Sequence, residues 1–597
     1  MLRLCDPAAA YNWHVKIDDA YQLALEHYQA NRLTDVARVL RQILAARPDY
    51  SDAIHLAGLL AHRGGTSPKA VAFIRRAILI NPNVADYYDD LGLILAGQGD
   101  ADAGIEAIQK AIALRPEQCR PYKNLGTLYS DRRQWDLAIE CFRKALALDP
   151  AYVEAESGLA NALTETGELD DAIASYRRLA QSENDPRLAS KLLNLLHFHS
   201  DYGPSQIIGA HFEWDQTFAA PLRASIQPHG NDPAPHRRLK VGYVSPDFRQ
   251  HSIGRFIAPL LENHDHERVE VFCYSDVSWP DALTQRLQLC ADLWRDTAYM
   301  TDQQLAQQIR DDGIDVLFDL AAHTEGNRLM AFARKPAPVQ ASYLANCGTT
   351  GLRTIDYRLT DPYLDSPDEF DDSFHRENRI RLNSYWCYEP FAEPLEVIGL
   401  PEALTGALAF GYVNHFSHIT TRALDAWTEI LARVPGSHLA ICADPGSHRN
   451  KIISHFEGRG VSGERVQFMR RPSGEACFSQ CAQIDIALDS FPFAGSTASC
   501  DALWMGVPLV SLAGRTAVSR SGVSILSAIG LADLVARTTD EYVELVVQLA
   551  MNRDRRSMLR KTQRDRMRSS PLMDAAAFSR DFESVIRRMW VAWCAGR

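Results

Sequence analysis

The segment Gly495-Ser496-Thr497-Ala498-Ser499-Cys500-Asp501 follows a short apolar run that ends at Asp489. Glycine and small hydroxyl residues at a helix start expose backbone N–H groups, and the helix dipole adds positive potential there. Gly495, Ser496, Thr497 and Ala498 therefore make an anion site suited to a diphosphate. Asp501 lies one turn further on, where a carboxylate can accept hydrogen bonds from ribose hydroxyls. The competing expectation is an ordinary helix capped by Ser496 or Thr497. Polar residues also gather after earlier apolar runs. His251 sits in the loop Ser245-Pro-Asp-Phe-Arg-Gln-His251-Ser-Ile-Gly254, where it can act as a base or an orienting donor. His323 ends the run Phe318-Asp-Leu-Ala-Ala-His323, at the equivalent end of a second strand. A lone loop histidine is usually a surface residue, but two at strand ends of one region point to a cleft. The loops at 335–340 and 347–351 can face the same cleft.

These residues need strands and helices to hold them. Apolar runs at 239–245, 269–274, 316–320, 339–344 and 357–360 alternate with helix-like stretches. A second set at 407–413, 437–442, 466–469, 484–488 and 508–512 alternates with helices expected at 420–434, 449–460, 474–483, 497–506, 519–529 and 540–551. Such alternation predicts parallel sheets covered on both faces. Two units in tandem predict two lobes, with ligands outside the carboxyl ends of the strands. No GxGxxG fingerprint follows the first strand and no Walker A motif occurs, which disfavours dehydrogenase and P-loop chemistry.

The N-terminal third is a repeat array. Pro48, Pro82, Pro116 and Pro150 recur every 34 residues, and Gly58, Gly92, Gly126 and Ala160 keep the same period. So do Ala70, Gly104, Ala138 and Ala172. Small residues let paired helices approach closely, and proline turns the chain after the second helix. Such pairs bury their apolar faces only by stacking into a solenoid. Four units span 17–50, 51–84, 85–118 and 119–152, and a degenerate fifth runs to about 186. The array predicts protein or peptide partners without naming one. The stretch 227–236, with three prolines and a glycine, reads as a linker.

The 597 residues allow roughly four domain-sized units. With 46% apolar and 23% charged residues, the chain is neither disordered nor fibrous. A net charge of −12 disfavours nucleic acid as a partner. No run of about 20 apolar residues predicts a spanning helix, and residues 1–6 lack the features of a secretory signal. The 12 cysteines are scattered, as expected of thiols in a reducing, cytoplasmic compartment. Cys477 and Cys481 have no His/Cys partner set nearby, so no metal site is expected there.

Taken together, the motifs resemble the O-linked N-acetylglucosamine transferase/SPINDLY family, glycosyltransferase family 41. The matching elements are Val241-Gly-Tyr-Val-Ser-Pro-Asp-Phe248 with His251, Asp319-Leu-Ala-Ala-His-Thr324, Arg334-Lys-Pro-Ala-Pro-Val-Gln340, Gly348-Thr-Thr-Gly351 and Asp356-Tyr357. Cys500-Asp-Ala-Leu-Trp-Met-Gly-Val-Pro508 and Ser570-Pro-Leu-Met-Asp574 follow, and the repeats lie upstream. The resemblance covers roughly 20–592 and implies an α plus α/β chain. A tetratricopeptide repeat superhelix would occupy 17–187 and a helical connector 188–236. A GT-B fold of two Rossmann-like lobes would follow, with an N-terminal catalytic lobe at 237–400. The C-terminal lobe, at 401–597, would bind the nucleotide sugar and include the C-terminal helix.

The resemblance also implies inverting transfer from UDP-N-acetylglucosamine to Ser/Thr hydroxyls of proteins, or from GDP-fucose in SPINDLY-type members, with no metal required. His251 and His323 would lie near acceptor and sugar, Ser496, Thr497 and Ala498 at the diphosphate, and Asp501 at the ribose. His418 stands where the family usually has a diphosphate-contacting lysine. Arg515 stands after Gly514, where an acidic residue is common, and Arg515 or Arg520 would supply the charge that His418 lacks. Ala345-Asn-Cys347 replaces the usual Gly-Tyr-Pro, and Ser496-Thr497-Ala498 replaces His-Thr-Thr or Gly-Thr-Thr. The expected activity is protein O-glycosylation, with acceptors recruited by the repeats and homo-oligomers allowed. The alternative is a repeat adaptor whose transferase lobes have lost activity. Transfer to a small glycan or lipid is disfavoured by the repeats and the lack of an amphipathic membrane helix.

Overall fold

The structure is a computed structural model that describes residues 17–366, 374–390, 395–470 and 476–596. Residues 1–6 lie outside the described part, as do the first two residues of the helix expected at 474–483. Packing divides the chain into two compact units, one ending at Ala162 and the other beginning at Leu163.

The first unit is built of antiparallel helix pairs. They are Ile17–Gln29 with Leu33–Ala46, Ser51–Arg63 with Ser67–Ile80, Ala85–Gly97 with Ala101–Leu114, and Cys119–Asp131 with Trp135–Leu148. Helix Val153–Glu165 opens the fifth repeat and carries the boundary between the units. The repeated prolines each follow the second helix of a pair by two residues, where the turn needs no N–H donor. The small residues are required by contact. A Cβ on Gly92 would come within 2.5 Å of Ile108 Cγ1 and 2.6 Å of the Gly104 carbonyl oxygen. At Gly126 and Gly158 the Phe142 ring takes the vacated space, and that ring is buried.

The second unit opens with helices Leu169–Glu183, Pro186–Leu196 and Pro204–Trp214. The linker after them is pinned by Asn231, whose amide donates to Asp315 and to the carbonyls of Gly313 and Ile314. Seven parallel strands then form one sheet: β1 Leu239–Ser245, β2 Val269–Ser275, β3 Leu293–Asp296, β4 Val316–Asp319, β5 Val339–Ser342, β6 Tyr357–Thr360 and β7 Asn378–Arg381. Their order is β3-β2-β1-β4-β5-β6-β7. The second sheet contains β8 Ala409–Tyr412, β9 His438–Cys442, β10 Val466–Met469, β11 Ile486–Leu488, β12 Leu509–Leu512 and β13 Val535–Ala536, in the order β10-β9-β8-β11-β12-β13. Strand order reverses at β1/β4 and at β8/β11, where loops diverge and a crevice opens at the carboxyl ends.

The ten strands expected from apolar runs form as parallel strands. The three that were not anticipated, β3, β7 and β13, lie at sheet edges. Edge strands are partly solvated and need no continuous apolar run, as Leu293-Trp-Arg-Asp296 and Asn378-Arg-Ile-Arg381 illustrate.

One assignment needs correction. The C-terminal helix Ala575–Ala595 was expected with the second lobe, but it packs on the first. Phe582 lies 5.1 Å from the Phe318 ring and 5.2 Å from Tyr343, at the first sheet's face. Glu583 accepts from His264 Nδ1 at 3.0 Å and from the Asp265 N–H at 2.8 Å. An apolar stripe of Phe578, Phe582, Val585, Ile586, Met589 and Trp590 drives the crossing, because it meets the Phe318 and Tyr343 rings at that sheet face.

Candidate functional site

β11 ends one residue before Asp489, whose side chain closes the following loop. Its carboxylate accepts from the N–H of Ser490 at 3.0 Å and of Gly495 at 2.9 Å, and from the Ser511 hydroxyl of β12 at 2.6 Å. Burial pushes its pKa up to about 6, against the stabilising pull of those donors. A Cβ on Gly495 would lie 2.6 Å from Ser499 Oγ and 2.9 Å from Asn414 Nδ2, so both side chains would have to shift.

Helix Thr497–Trp504 starts directly after this turn. No side chain caps it, so the expected N-cap role of Ser496 or Thr497 is not found. Thr497 Oγ1 is buried and finds no hydrogen-bond partner among the described residues. The orphan donors of the first turn are thus left to a ligand or to water.

The loop after β8 meets this turn. His418 ends the 3₁₀ turn Phe416–His418 and is buried between the rings of Phe198, at 4.4 Å, and Phe493, at 4.2 Å. Tyr412 donates through its hydroxyl to the His415 carbonyl at 2.8 Å and approaches Ser490 Oγ at 3.2 Å. Thr420 donates to the Phe491 carbonyl at 2.8 Å. His418 and the Gly495–Ala498 turn, 77 positions apart at their nearest, are thereby brought into one corner of the second lobe.

Asp501 is placed differently from the sequence expectation. It is buried, and its carboxylate accepts from Arg255 Nη1 at 3.1 Å, Arg255 Nη2 at 2.6 Å and the Tyr388 hydroxyl at 2.5 Å. Arg255 belongs to helix Ser252–Glu262 of the first lobe, so this pair ties the lobes together instead of presenting a carboxylate to a ribose. Burial works against the Arg255 charge, but Asp501 outweighs it and the guanidinium pKa is raised.

His251 caps helix Ser252–Glu262: its Nδ1 accepts from the Ile253 N–H at 3.4 Å and lies 3.4 Å from Asp247 Oδ2. Its side chain is 43% exposed at the carboxyl end of β1, so a substrate can reach it. His323 cannot be reached. It is 1% exposed, with Nδ1 2.9 Å from Ser190 Oγ and Nε2 2.9 Å from the Thr350 carbonyl. A carbonyl only accepts, so Nε2 carries the proton and Nδ1 accepts from Ser190. Burial and the neighbouring His211 and His197 hold its pKa well below the ordinary value. His323 thus anchors the Thr349–Gly351 loop, with both ring nitrogens engaged inside the protein.

The two arginines also separate. Arg515 is exposed and lines a crevice with His197, Gly348, Thr349 and His375. Arg520 is buried and donates through Nε to the Tyr363 carbonyl at 2.9 Å, a backbone tie to the first lobe. Facing it, Leu344, Ala345 and Cys347 take left-handed backbone with φ of 64°, 55° and 45°. Their loop is held by Tyr385 donating to the Leu344 carbonyl and Arg358 to the Cys347 carbonyl. Strain held in this way is typical of ligand-facing loops. Asp489, Arg255, Tyr388, Phe198 and Phe493 were not singled out from sequence. Only Asp489 carried a signal, as an acid at a strand end.

Among the described residues no helix is long and apolar enough to cross a membrane. Also among them, no group of three or more His, Cys, Asp or Glu is arranged to hold a metal ion.

Comparison with known proteins bears on this geometry. Residues 223–385 and 396–582 match the family described as glycosyl transferase family 41. Residues 21–87, 85–118 and 123–187 match tetratricopeptide repeats. A Solanum lycopersicum protein named probable UDP-N-acetylglucosamine–peptide N-acetylglucosaminyltransferase SPINDLY is 38% identical over 396 residues, which are 65% of this chain and 42% of that protein. An Arabidopsis thaliana protein of the same enzyme name, designated SEC, is 29% identical, over 60% of this chain and 38% of its own length. The chain spans less than half the length of these curated relatives. A solved mutant of the Thermobaculum terrenum O-GlcNAc transferase superposes with a TM-score of 0.77 at 34% identity, covering 86% of this chain and 98% of that one.

Proposed function

Because the chain belongs to glycosyl transferase family 41, we propose that it is a protein O-glycosyltransferase that moves a sugar from a nucleotide donor to hydroxyls of proteins recruited by its repeats. The favoured donor is UDP-N-acetylglucosamine, the sugar nucleotide in the names of its relatives. The observation that carries the reading is the uncapped helix start at Ser496–Thr497, set at the β8/β11 switch point.

In this reading an acceptor hydroxyl oxygen attacks the anomeric carbon and the bond from that carbon to the diphosphate breaks. The electron pair leaves with the diphosphate, where the N–H groups and dipole of helix Thr497–Trp504 stabilise the added charge. A single displacement inverts the anomeric centre. His251, exposed at the carboxyl end of β1, takes the hydroxyl proton in this reading, whereas His323 is buried with both ring nitrogens engaged. His418 flanks the diphosphate corner in place of a lysine. Arg515, exposed in the crevice with Gly348 and Thr349, is the further cation this reading assigns to the leaving group. We further propose a cytoplasmic enzyme that needs no metal.

The test is incubation of the protein with cell lysate and radiolabelled UDP-N-acetylglucosamine, UDP-glucose or GDP-fucose. Label in protein from the first is expected. Label from GDP-fucose alone would reassign the donor, and no label from any would overturn catalysis. A His418→Lys substitution puts a permanent cation beside the diphosphate and should tighten UDP binding about tenfold, the scale of one charge-assisted hydrogen bond. Unchanged affinity would remove His418 from the site. The second reading, an adaptor with silent lobes, is favoured by His418 at the lysine position and by the engagement of Asp501 with Arg255. Calorimetry separates the two, since an adaptor with a dead site binds neither UDP nor GDP.

A further inference from the structure

Asp489 performs no step in that mechanism, yet it is the hub of the corner where the mechanism needs rigidity. Its side chain is 2% exposed and grips both ends of a six-residue loop, through the N–H of Ser490 and of Gly495. Its backbone carbonyl accepts from the Tyr542 hydroxyl at 3.0 Å, and the Ser511 hydroxyl holds its second oxygen. Gly522 is packed against it so tightly that a Cβ there would lie 2.8 Å from Asp489 Oδ2. Ser490, the other end of the loop, is bonded to Tyr412, which also holds His415. The loops bearing His418 and Gly495 are thus coupled through residues that the carboxylate fixes.

Burying a carboxylate costs several kcal/mol unless its hydrogen bonds are satisfied, and a carboxylate behind an anion site adds repulsion. An apolar residue would fill the volume more cheaply. What the side-chain oxygen supplies, and an apolar residue cannot, is a two-point clamp on the loop. By holding the Gly495 N–H inward, it leaves the next N–H groups, from Ser496 onward, at the uncapped helix start.

We infer that Asp489 is the positioning residue of the donor site, a buried clamp that presets the Gly495–Thr497 turn to receive the diphosphate of the sugar nucleotide. This rests on the donor-site reading above, and it assigns a role to a residue that contacts neither sugar nor acceptor.

Asp489→Ala and Asp489→Asn separate the clamp from mere filling of space. Asparagine keeps one oxygen for the Ser490 and Gly495 N–H groups and turns its amide toward Ser511, whose oxygen accepts. Calorimetric titration with UDP and with GDP, donor and acceptor KM, kcat and thermal unfolding are compared for each protein. For Asp489→Ala, the nucleotide Kd and donor KM should rise at least about tenfold, with acceptor KM unchanged. Asp489→Asn should return both to within about threefold of the unaltered protein. Equal affinity in Asp489→Ala and the unaltered protein would overturn the clamp, as would an Asp489→Asn protein as weak as Asp489→Ala. If Asp489→Ala does not fold, Asp489→Glu decides. It keeps the charge but moves the oxygens by a methylene, so affinity should fall, and unchanged affinity overturns the inference. An unaltered protein that binds neither UDP nor GDP would overturn the donor-site reading itself, and the clamp with it.

Discussion

Arg255→Ala should destabilise the second unit by about 3–5 kcal/mol, the usual cost of stripping one partner from a buried ion pair. The side chains of Arg255 and Asp501 are only 9% and 6% exposed, so solvent does little to screen the loss. The guanidinium also donates to the Glu389 carbonyl at 3.0 and 3.2 Å and lies 5.2 Å from the Tyr388 ring centroid. Its removal leaves the Asp501 carboxylate buried with Tyr388 as its remaining strong donor. Because the pair joins helix Ser252–Glu262 to helix Thr497–Trp504, the same change should loosen the lobes and lower kcat/KM. Equilibrium unfolding in urea measures the first effect, and a loss below about 1 kcal/mol would mean that the pair is not a clamp. A double variant, Arg255→Met with Asp501→Leu, should recover much of the stability, since no unpaired charge remains. Its activity should stay low if the pair also sets the lobe geometry.

Acid should unfold the second unit through histidines that are built in neutral. His197, His211 and His323 form a buried chain, with ring centroids 5.5 Å apart between His197 and His211 and 4.8 Å between His211 and His323. Burial first, then the neighbouring imidazole, drives His197 down to about 3, and burial lowers the other two. The folded pKa is depressed below the unfolded value near 6.5. The unfolded chain therefore takes up protons that the folded chain refuses, and stability present at neutral pH is lost as pH falls from about 6.5 toward 3. At pH 5 a histidine driven down to about 3, as His197 is, costs about 2 kcal/mol, and His211 and His323 add to that loss in the same sense.

Asp319 and Asp489 act in the opposite sense. Burial raises each to about 6, so the folded form gains protons first and is favoured by about 1.4 kcal/mol per carboxyl at pH 5. Raised Asp361 and Asp485 add to that side, and lowered His264 and His375 to the other. The histidine chain outweighs the carboxyls, so the second unit is expected to be less stable at pH 5 than at pH 7. Thermal unfolding across that range measures it, and a flat or rising midpoint would contradict it. His197→Leu should reduce the slope by about one proton at little other cost, because among the described residues neither ring nitrogen of His197 has a hydrogen-bond partner to lose.

Each of these two effects depends on partners that the sequence did not mark, and the reason differs between them. Arg255 lies in an amphipathic helix without any motif, and its partner is 246 positions away. The histidine chain draws one member from each of three elements: helix Pro186–Leu196 ends at His197, helix Pro204–Trp214 carries His211, and the loop after β4 carries His323. Spacing along the chain carries no trace of either cluster. His323 was visible as a strand-end histidine, and that placement is right, but its side chain turns into the core and not into the cleft. Asp501 was likewise placed on the expected helix, one turn in, yet it points to the other lobe.

What the sequence by itself determined is the part governed by local periodicity. The 34-residue recurrence of proline and small residues fixes the helix pairs, because each unit contacts chiefly its neighbours. The alternation of apolar runs and amphipathic stretches fixes two parallel sheets, since buried strands must be apolar along their whole length. The loops that carry Gly495, His251 and His418 follow from where those strands end. Only the tertiary structure decided which side chains act together, and it decided by burial and charge. Once the lobes close, Asp501 lies beside a buried guanidinium that needs an anion, and His323 lies between a hydroxyl and a carbonyl that need its two nitrogens. An ionisable group's role depends on what surrounds it in space, and for Asp501, His323 and Arg520 those surroundings come from distant parts of the chain.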